Sequence, residues 1–478
     1  MGRSIGPPQV IATGKVTHSA SGSNLSVEYR GRRMFHILSE RGLTAEYPMA
    51  LQIGSGNKGR TYAVKIGQYL LESPLSWYVG SGWDISPGFE SLPLIEFNRP
   101  ITSNCLFCHA AKVRFDDADD HRLKALEHVE AITCERCHGD GEAHTQHPSA
   151  KNIVNPAKLS GAARDSICEQ CHLEGETRIL NPGKTLDDYR PGEPLERTMV
   201  TYLFHQPNVP RSAVSQVEEL TESQCARGGG GKLWCGSCHD PHGRTQRSAE
   251  ERASQVLRVC TGCHSRLSEA SHPAGARECT SCHMPSRPAN NIAHLAVTDH
   301  RIRRPHAVGG PAHSDTVVAW REPPAEFWQR DLGLAKLQIA SRQNLAVMLR
   351  DSVAMLEALP AAQQNKDADV LSSLEGAFLD SSSPAKAVAL SRWAVESTPA
   401  SAMFALNYAL ALKRAGDLEQ AERELLRSIN LDPSLSRSYA ELAVLYDREG
   451  RHAEAVAAIE RFLKWNPQSI EFRRTVRQ

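Results

Sequence analysis

Cys235-Gly236-Ser237-Cys238-His239-Asp240-Pro241-His242 opens with a pattern that recurs along the middle of the chain: two cysteines three positions apart, then histidine at once. The pattern stands at Cys105/Cys108/His109, Cys134/Cys137/His138, Cys168/Cys171/His172, Cys235/Cys238/His239, Cys260/Cys263/His264 and Cys279/Cys282/His283. Together these take every cysteine except Cys225. C-x-x-C-H is the attachment signature of c-type haem. Two thiols bond covalently to the porphyrin edge, and the next histidine becomes the proximal ligand of the iron. Zinc is the competing reading, because Cys260, Cys263, Cys279 and Cys282 have the spacing of a zinc ribbon. Thiol–disulfide exchange is another. Neither needs a histidine after every second cysteine, and all six motifs have one. The expected cofactor is therefore haem c, six covalently attached.

A second histidine on an iron closes it to small ligands, whereas an iron with one histidine keeps an open site. The candidate distal ligands are His128, His144, His242, His272, His294 and His300, with His205 a further candidate. His144 and His242 follow their own motifs too closely to reach the far face of their own haem, so each is expected to serve a neighbouring one. Candidate ligands do not run out before irons do, which favours electron transfer over catalysis. Cys225 stands outside every motif and reads as a buried structural thiol, a sulfur ligand or a reactive thiol being the alternatives.

Residues 1–95 read as β-rich. Asn24–Tyr29, Arg33–Leu38, Ala50–Ile53 and Arg60–Ile66 have strand composition and are separated by Gly, Ser and Asn. Gly54-Ser55-Gly56-Asn57-Lys58-Gly59 matches G-x-G-x-x-G, but a dinucleotide fingerprint must open a helix. A strand follows here, so the glycines predict a hairpin turn. Pro74–Tyr78, Trp83 and Ser86–Phe89 read as an aromatic loop. Residues 96–310 read as a loop-rich haem region in which the porphyrins themselves supply apolar core.

From about Ala325 helix formers dominate. Pro399, Pro433 and Pro467 recur at a 34-residue interval, as do Ala387, Ala421 and Ala455, and Gly416 and Gly450. That is the tetratricopeptide period. Repeats are expected at 368–401, 402–435 and 436–469, forming a short solenoid whose concave face takes a protein or peptide.

Lys+Arg and Asp+Glu both number 55, so there is no net charge and no basic stripe for nucleic acid. No apolar run reaches the roughly 18 residues of a membrane span. Met1–Pro8 has no apolar signal-peptide core. Covalent haem is normally attached outside the cytoplasm, so the start is expected to lie inside a longer protein that is periplasmic or extracellular.

Several stretches resemble the bacterial multihaem cytochromes with doubled C-x-x-C-H motifs fused to tetratricopeptide repeats. They are Ile53–Asn57, Cys134–Gly139, Cys168–His172, Cys238–Gly243, Cys282–Pro285 and Thr298–Ile302. The resemblance implies extracytoplasmic electron transfer to redox partner proteins, and a structural or ligating role for Cys225. Members usually carry a further C-x-x-C-H upstream, which this sequence lacks. Distantly similar haem arrangements occur in hydroxylamine oxidoreductase and in nitrite and tetrathionate reductases. The alternative is thus an oxidoreductase acting on a small nitrogen or sulfur compound at one five-coordinate haem. The fold class expected is mixed: a β-rich part at 1–95 packed on a loop/α haem domain at 96–310, a linker at 311–325, and an all-α repeat domain at 326–478.

Overall fold

The computed structural model describes every residue except 1–4, 111–112, 117–121, 127–131, 205–210, 243–247, 265–271, 273–277, 305–315, 365, 380–382 and 478. Contacts divide the chain into two compact units. One spans Ile5–Val129 with Glu326–Gln478, and the other Glu130–Ala325. The division differs from the domain boundaries expected from the sequence: the first motif, Cys105–His109, falls with the β-rich part and the repeats, apart from the other five.

The β-rich part is an antiparallel meander. Its strands are β1 (Ile5–Gly6), β2 (Gly14–Thr17), β3 (Asn24–Arg30), β4 (Arg33–Glu40), β5 (Leu43–Ile53), β6 (Gly59–Ile66), β7 (Tyr69–Glu72), β8 (Leu75–Tyr78), β9 (Gly82–Ile85) and β10 (Arg99–Pro100). The main path runs β10-β7-β6-β5-β4-β3-β2. Gly54 and Gly56 take positive φ in the turn between β5 and β6, as a glycine-rich hairpin requires. The structure corrects two expectations here. The β5 strand begins at Leu43, ahead of the expected Ala50, because Pro48 sits next to a register shift between Met49 and Leu51 that accommodates it. The aromatic loop is instead the β8–β9 hairpin, with Trp77 opposite Trp83. Those two rings join Tyr62 and the buried His36 in an edge-packed aromatic cluster.

The helical part contains the expected repeats as antiparallel pairs: Ala368–Leu379 with Pro384–Ser397, Ala402–Ala415 with Leu418–Leu431, and Ser436–Arg448 with His452–Trp465. Gly416 ends its helix in the left-handed conformation. Ala409 and Ala421 are buried where helices approach, and Leu425, Ile429, Leu442 and Phe462 fill the core between pairs. The polar tail forms a further helix, Ile470–Arg477. It joins the repeats to the sheet: Ile470 enters the β core, Tyr47 Oη donates to Asn466 Oδ1 at 3.1 Å, and the Glu471 amide donates to Glu96 Oε1 at 2.7 Å.

The other unit has short helices around a small sheet, Thr177–Leu180, Met199–Leu203 and Val318–Ala319. The segment expected to be a linker therefore contributes a strand. It also contributes Arg321, which ion-pairs with the buried Glu169 and with Glu196. A hairpin pairs Ser286–Pro288 with Ala296–Thr298. None of the described residues from Gln224 to Thr298 is buried.

Candidate haem-attachment site

Each motif lies on or at the end of a helical turn. The helices are Ser103–Phe107, Glu135–His138, Gly161–His172, Cys235–Cys238, Ala249–Thr261 and Cys279–His283. Helical spacing puts residues three and four apart on one face, so two thiols and the histidine can address one planar group. Backbone bonds hold the turn: the amides of His138, His239 and His264 donate to the carbonyls of Cys134, Cys235 and Cys260. All thirteen cysteines are free and none is buried. Free cysteine is ordinarily among the most buried residue types, so thiols held at accessible helix faces suit attachment better than packing.

Two attachment cysteines stand in settings that the sequence did not suggest. Cys108 was expected in one haem domain with the other motifs, but it belongs to the sheet-and-repeat unit. The physical reason is its neighbours: Leu106 and Ala110 bury against Ile5, Ile53, Ala63 and Leu70. Cys108 itself is half-exposed just past its helix and keeps a right-handed helical backbone, so it continues the turn begun at Cys105. Cys171 was expected in loop-rich chain, but it lies in the last turn of the twelve-residue Gly161–His172 helix. Buried Ala163, Ser166, Ile167, Glu169 and Gln170 hold that helix in place and leave Cys168 and Cys171 half-exposed. Burial lowers the pKa of both His109 and His172, which keeps each imidazole neutral, as a metal ligand must be.

Two of the motif histidines are oriented through Nδ1. His138 Nδ1 donates to the Val154 carbonyl at 2.6 Å, and His283 Nδ1 to the Arg303 carbonyl at 2.7 Å. A carbonyl can only accept, which fixes the proton on Nδ1 and leaves the Nε2 lone pair available to a metal. Among candidate distal residues, His300 Nδ1 donates to the Thr298 carbonyl at 2.8 Å. His144 Nδ1 faces Asn152 Oδ1 at 3.0 Å and the Ser149 carbonyl at 3.1 Å.

Three proximal histidines face a second histidine. The His138 and His242 ring centroids are 5.9 Å apart at 24°. His239 and His300 are 6.1 Å apart at 27°, and His283 and His272 are 6.2 Å apart at 33°. Two metal–nitrogen bonds of about 2 Å, plus the reach from ring nitrogen to ring centre, put trans imidazoles roughly 6 Å apart. Rings in direct contact would be closer. The first two pairs join distant segments: His242 belongs to the loop after the fourth motif but faces the second.

Neighbouring motifs also meet. Cys168 and Cys235 hydrogen-bond to each other, which with burial raises the Cys168 thiol. Burial, then the charge of Cys279 and a hydrogen bond with it, pushes Cys260 up to about 11. Among the described residues no three His, Cys, Asp or Glu side chains are grouped to cage a metal. A zinc ribbon would need such a group, whereas a haem iron takes only two protein ligands.

The remaining histidines separate by environment. His128 and His205 lie outside the described residues, with His121, His306 and His313. His294 is exposed and has positive φ. His18 is buried with Nδ1 on Ser21 and Nε2 at the Phe89 carbonyl, a structural role. Cys225 is half-exposed on the Gln224–Gly228 helix rather than buried.

A family model described as the doubled CXXCH motif matches residues 226–269, and one described as the tetratricopeptide repeat matches 436–469. These are the modules of a multihaem cytochrome fused to tetratricopeptide repeats. The doubled motif indicates covalently bound c-type haem, and the repeat a part for protein interaction. Similar solved structures include "MamA MSR-1", 16% identical over 30% of this chain and 80% of that one, TM-score 0.26. "MamA AMB-1" is 18% identical over 30% and 81%, TM-score 0.26. A "Crystal structure of MamA protein" is 15% identical over 29% and 83%, TM-score 0.25. The repeat assignment rests on the 34-residue period and the family match. A comparison with curated proteins gives no match. Among the described residues no helix is long and apolar enough to cross a membrane.

Proposed function

We propose that the chain is an electron-carrying multihaem cytochrome that works outside the cytoplasm. On this reading it attaches six haems, through Cys105 and Cys108, Cys134 and Cys137, Cys168 and Cys171, Cys235 and Cys238, Cys260 and Cys263, and Cys279 and Cys282, with the repeats docking a partner protein. The observation that carries it is the set of three facing histidine pairs, His138/His242, His239/His300 and His283/His272, each near 6 Å between ring centres. An iron held by two imidazoles changes oxidation state with its coordination kept and no site open to substrate. The chain's part is to fix ring direction through the Val154, Thr298 and Arg303 carbonyls. The accessible thiols and the lack of a buried residue among the described ones from Gln224 to Thr298 also support it, since a porphyrin would provide the apolar contact there.

The full chain, secreted with a cytochrome c maturation system, tests this reading. Pyridine haemochrome analysis should give six haems per chain, and electron paramagnetic resonance of the oxidised protein only low-spin ferric signals. A stoichiometric high-spin signal would replace electron transfer with the oxidoreductase reading. A haem yield near zero with bound zinc would overturn both.

A further inference from the structure

The Gln216–Glu222 helix carries no motif, yet it reaches the ligand proposed for the fourth motif. Glu219 is fully buried. Its Oε2 accepts the backbone N–H of His300 at 3.0 Å, and its Oε1 accepts Arg287 Nε at 2.5 Å. Arg287 in turn donates to Ser215 Oγ at 2.7 Å and to the Ser212 and Arg211 carbonyls at 3.0 Å. A buried carboxylate is tolerated only when paired and hydrogen-bonded, and this one directs an oxygen at a single amide. His300 is flanked by a second clamp, in which Asp299 pairs with Arg301 and its amide donates to the Pro285 carbonyl. Ile302, two residues on, has φ 46°, a conformation a β-branched residue rarely adopts.

We propose that Glu219 is the positioning residue for His300, and that the Glu219–Arg287 pair keeps the His300 ring aimed at His239. The proposal rests on His300 being the distal ligand at the fourth motif, and the experiment separates the two. Three variants of the full haem-loaded chain are compared by electron paramagnetic resonance and by redox titration of each haem. H300G tests ligation: one haem equivalent should become high-spin and return to low-spin with added imidazole. If H300G stays fully low-spin, the ligation reading fails and takes this proposal with it. E219L removes both the acceptor and the charge. One haem equivalent should become partly high-spin, again restored by imidazole. E219Q keeps an oxygen for the His300 amide but removes the charge facing Arg287. It should stay low-spin, with the midpoint of one haem moved upward because a nearby negative charge is gone. H300G high-spin with E219L fully low-spin would overturn the positioning role and leave ligation standing. If E219L fails to mature, E219Q decides: a fully low-spin spectrum with an unshifted titration would overturn it.

Discussion

His242 stands three residues after His239, yet the two rings face different partners, His138 and His300. One loop through Asp240-Pro241 therefore presents two histidines to different partners. Replacing His242 by glycine should convert one haem equivalent to high-spin, rescued by imidazole, with the other signals unchanged; the same resonance spectrum checks both. A different residue is expected to contribute to the acid sensitivity of the sheet. His36 is fully buried, with Nδ1 on Ser73 Oγ at 2.7 Å, and burial lowers its pKa to about 3. Its folded pKa lies below its unfolded one, so the unfolded chain takes up the proton first as pH falls. The stability present above about pH 6.5 is then lost progressively toward pH 3, by an amount on the order of a few kcal/mol. In H36F the urea midpoint of the β-rich unit, followed by circular dichroism, should depend less steeply on pH across that window. An unchanged slope would assign acid sensitivity elsewhere.

At the scale of elements, the joint between Ile470–Arg477 and the sheet has the opposite pH sign. Burial raises Glu96 to about 7 while it accepts the Glu471 amide. A carboxyl with a raised folded pKa favours folding below its unfolded value, and that contribution disappears as pH rises through 7. E96Q retains an accepting oxygen and has no charge to bury. It should stabilise the joint by about 1–3 kcal/mol at pH 8 and by little at pH 4, measured as the difference in urea midpoint at the two pH values. Within the repeats, Leu425 is 1% exposed between helix pairs. L425A should cost about 2–4 kcal/mol, read from the same denaturation curves, because neighbouring pairs share that core.

For the molecule as a whole, the sheet-and-repeat unit and the segment 224–298 differ in how much side chain they bury. The sheet-and-repeat unit has continuous cores of its own, including Tyr62, Leu75, Phe97 and Ile470 on one side and Leu412, Leu425 and Phe462 on the other. The segment 224–298 has no buried residue among those described. Chain made without haem attachment should therefore be cut first by a non-specific protease between Gln224 and Thr298, while fragments of the other unit persist. Equal resistance of that segment with and without haem, judged by mass spectrometry of the fragments, would show that its stability does not depend on the cofactor.

The doubled C-x-x-C-H motif and the 34-residue period were legible in the sequence because each is a local pattern. A helical turn brings Cys, Cys and His to one face without help from distant chain, and a 34-residue period reports helix pairs that stack on their neighbours. The G-x-G-x-x-G turn was legible too, from the strand composition of Arg60–Ile66 after it. Pro48 hid the start of its strand, since a proline is compatible with a strand only beside an irregularity that pairing creates. The setting of Cys108 was hidden as well, because Leu106 and Ala110 beside it find their apolar partners far away in the sheet. The tertiary structure alone decided which histidines face one another, because His138 and His242, or His239 and His300, are brought together by long-range packing. It also decided that the tail after Trp465 plugs into the sheet, and that Glu219 reaches across to the His300 amide. A hydrogen bond to a backbone amide, or a carbonyl behind a ring nitrogen, depends on where the chain passes and leaves no mark on residue identity. Local spacing wrote the C-x-x-C-H motifs into the sequence, and the facing of distant histidines waited for the fold.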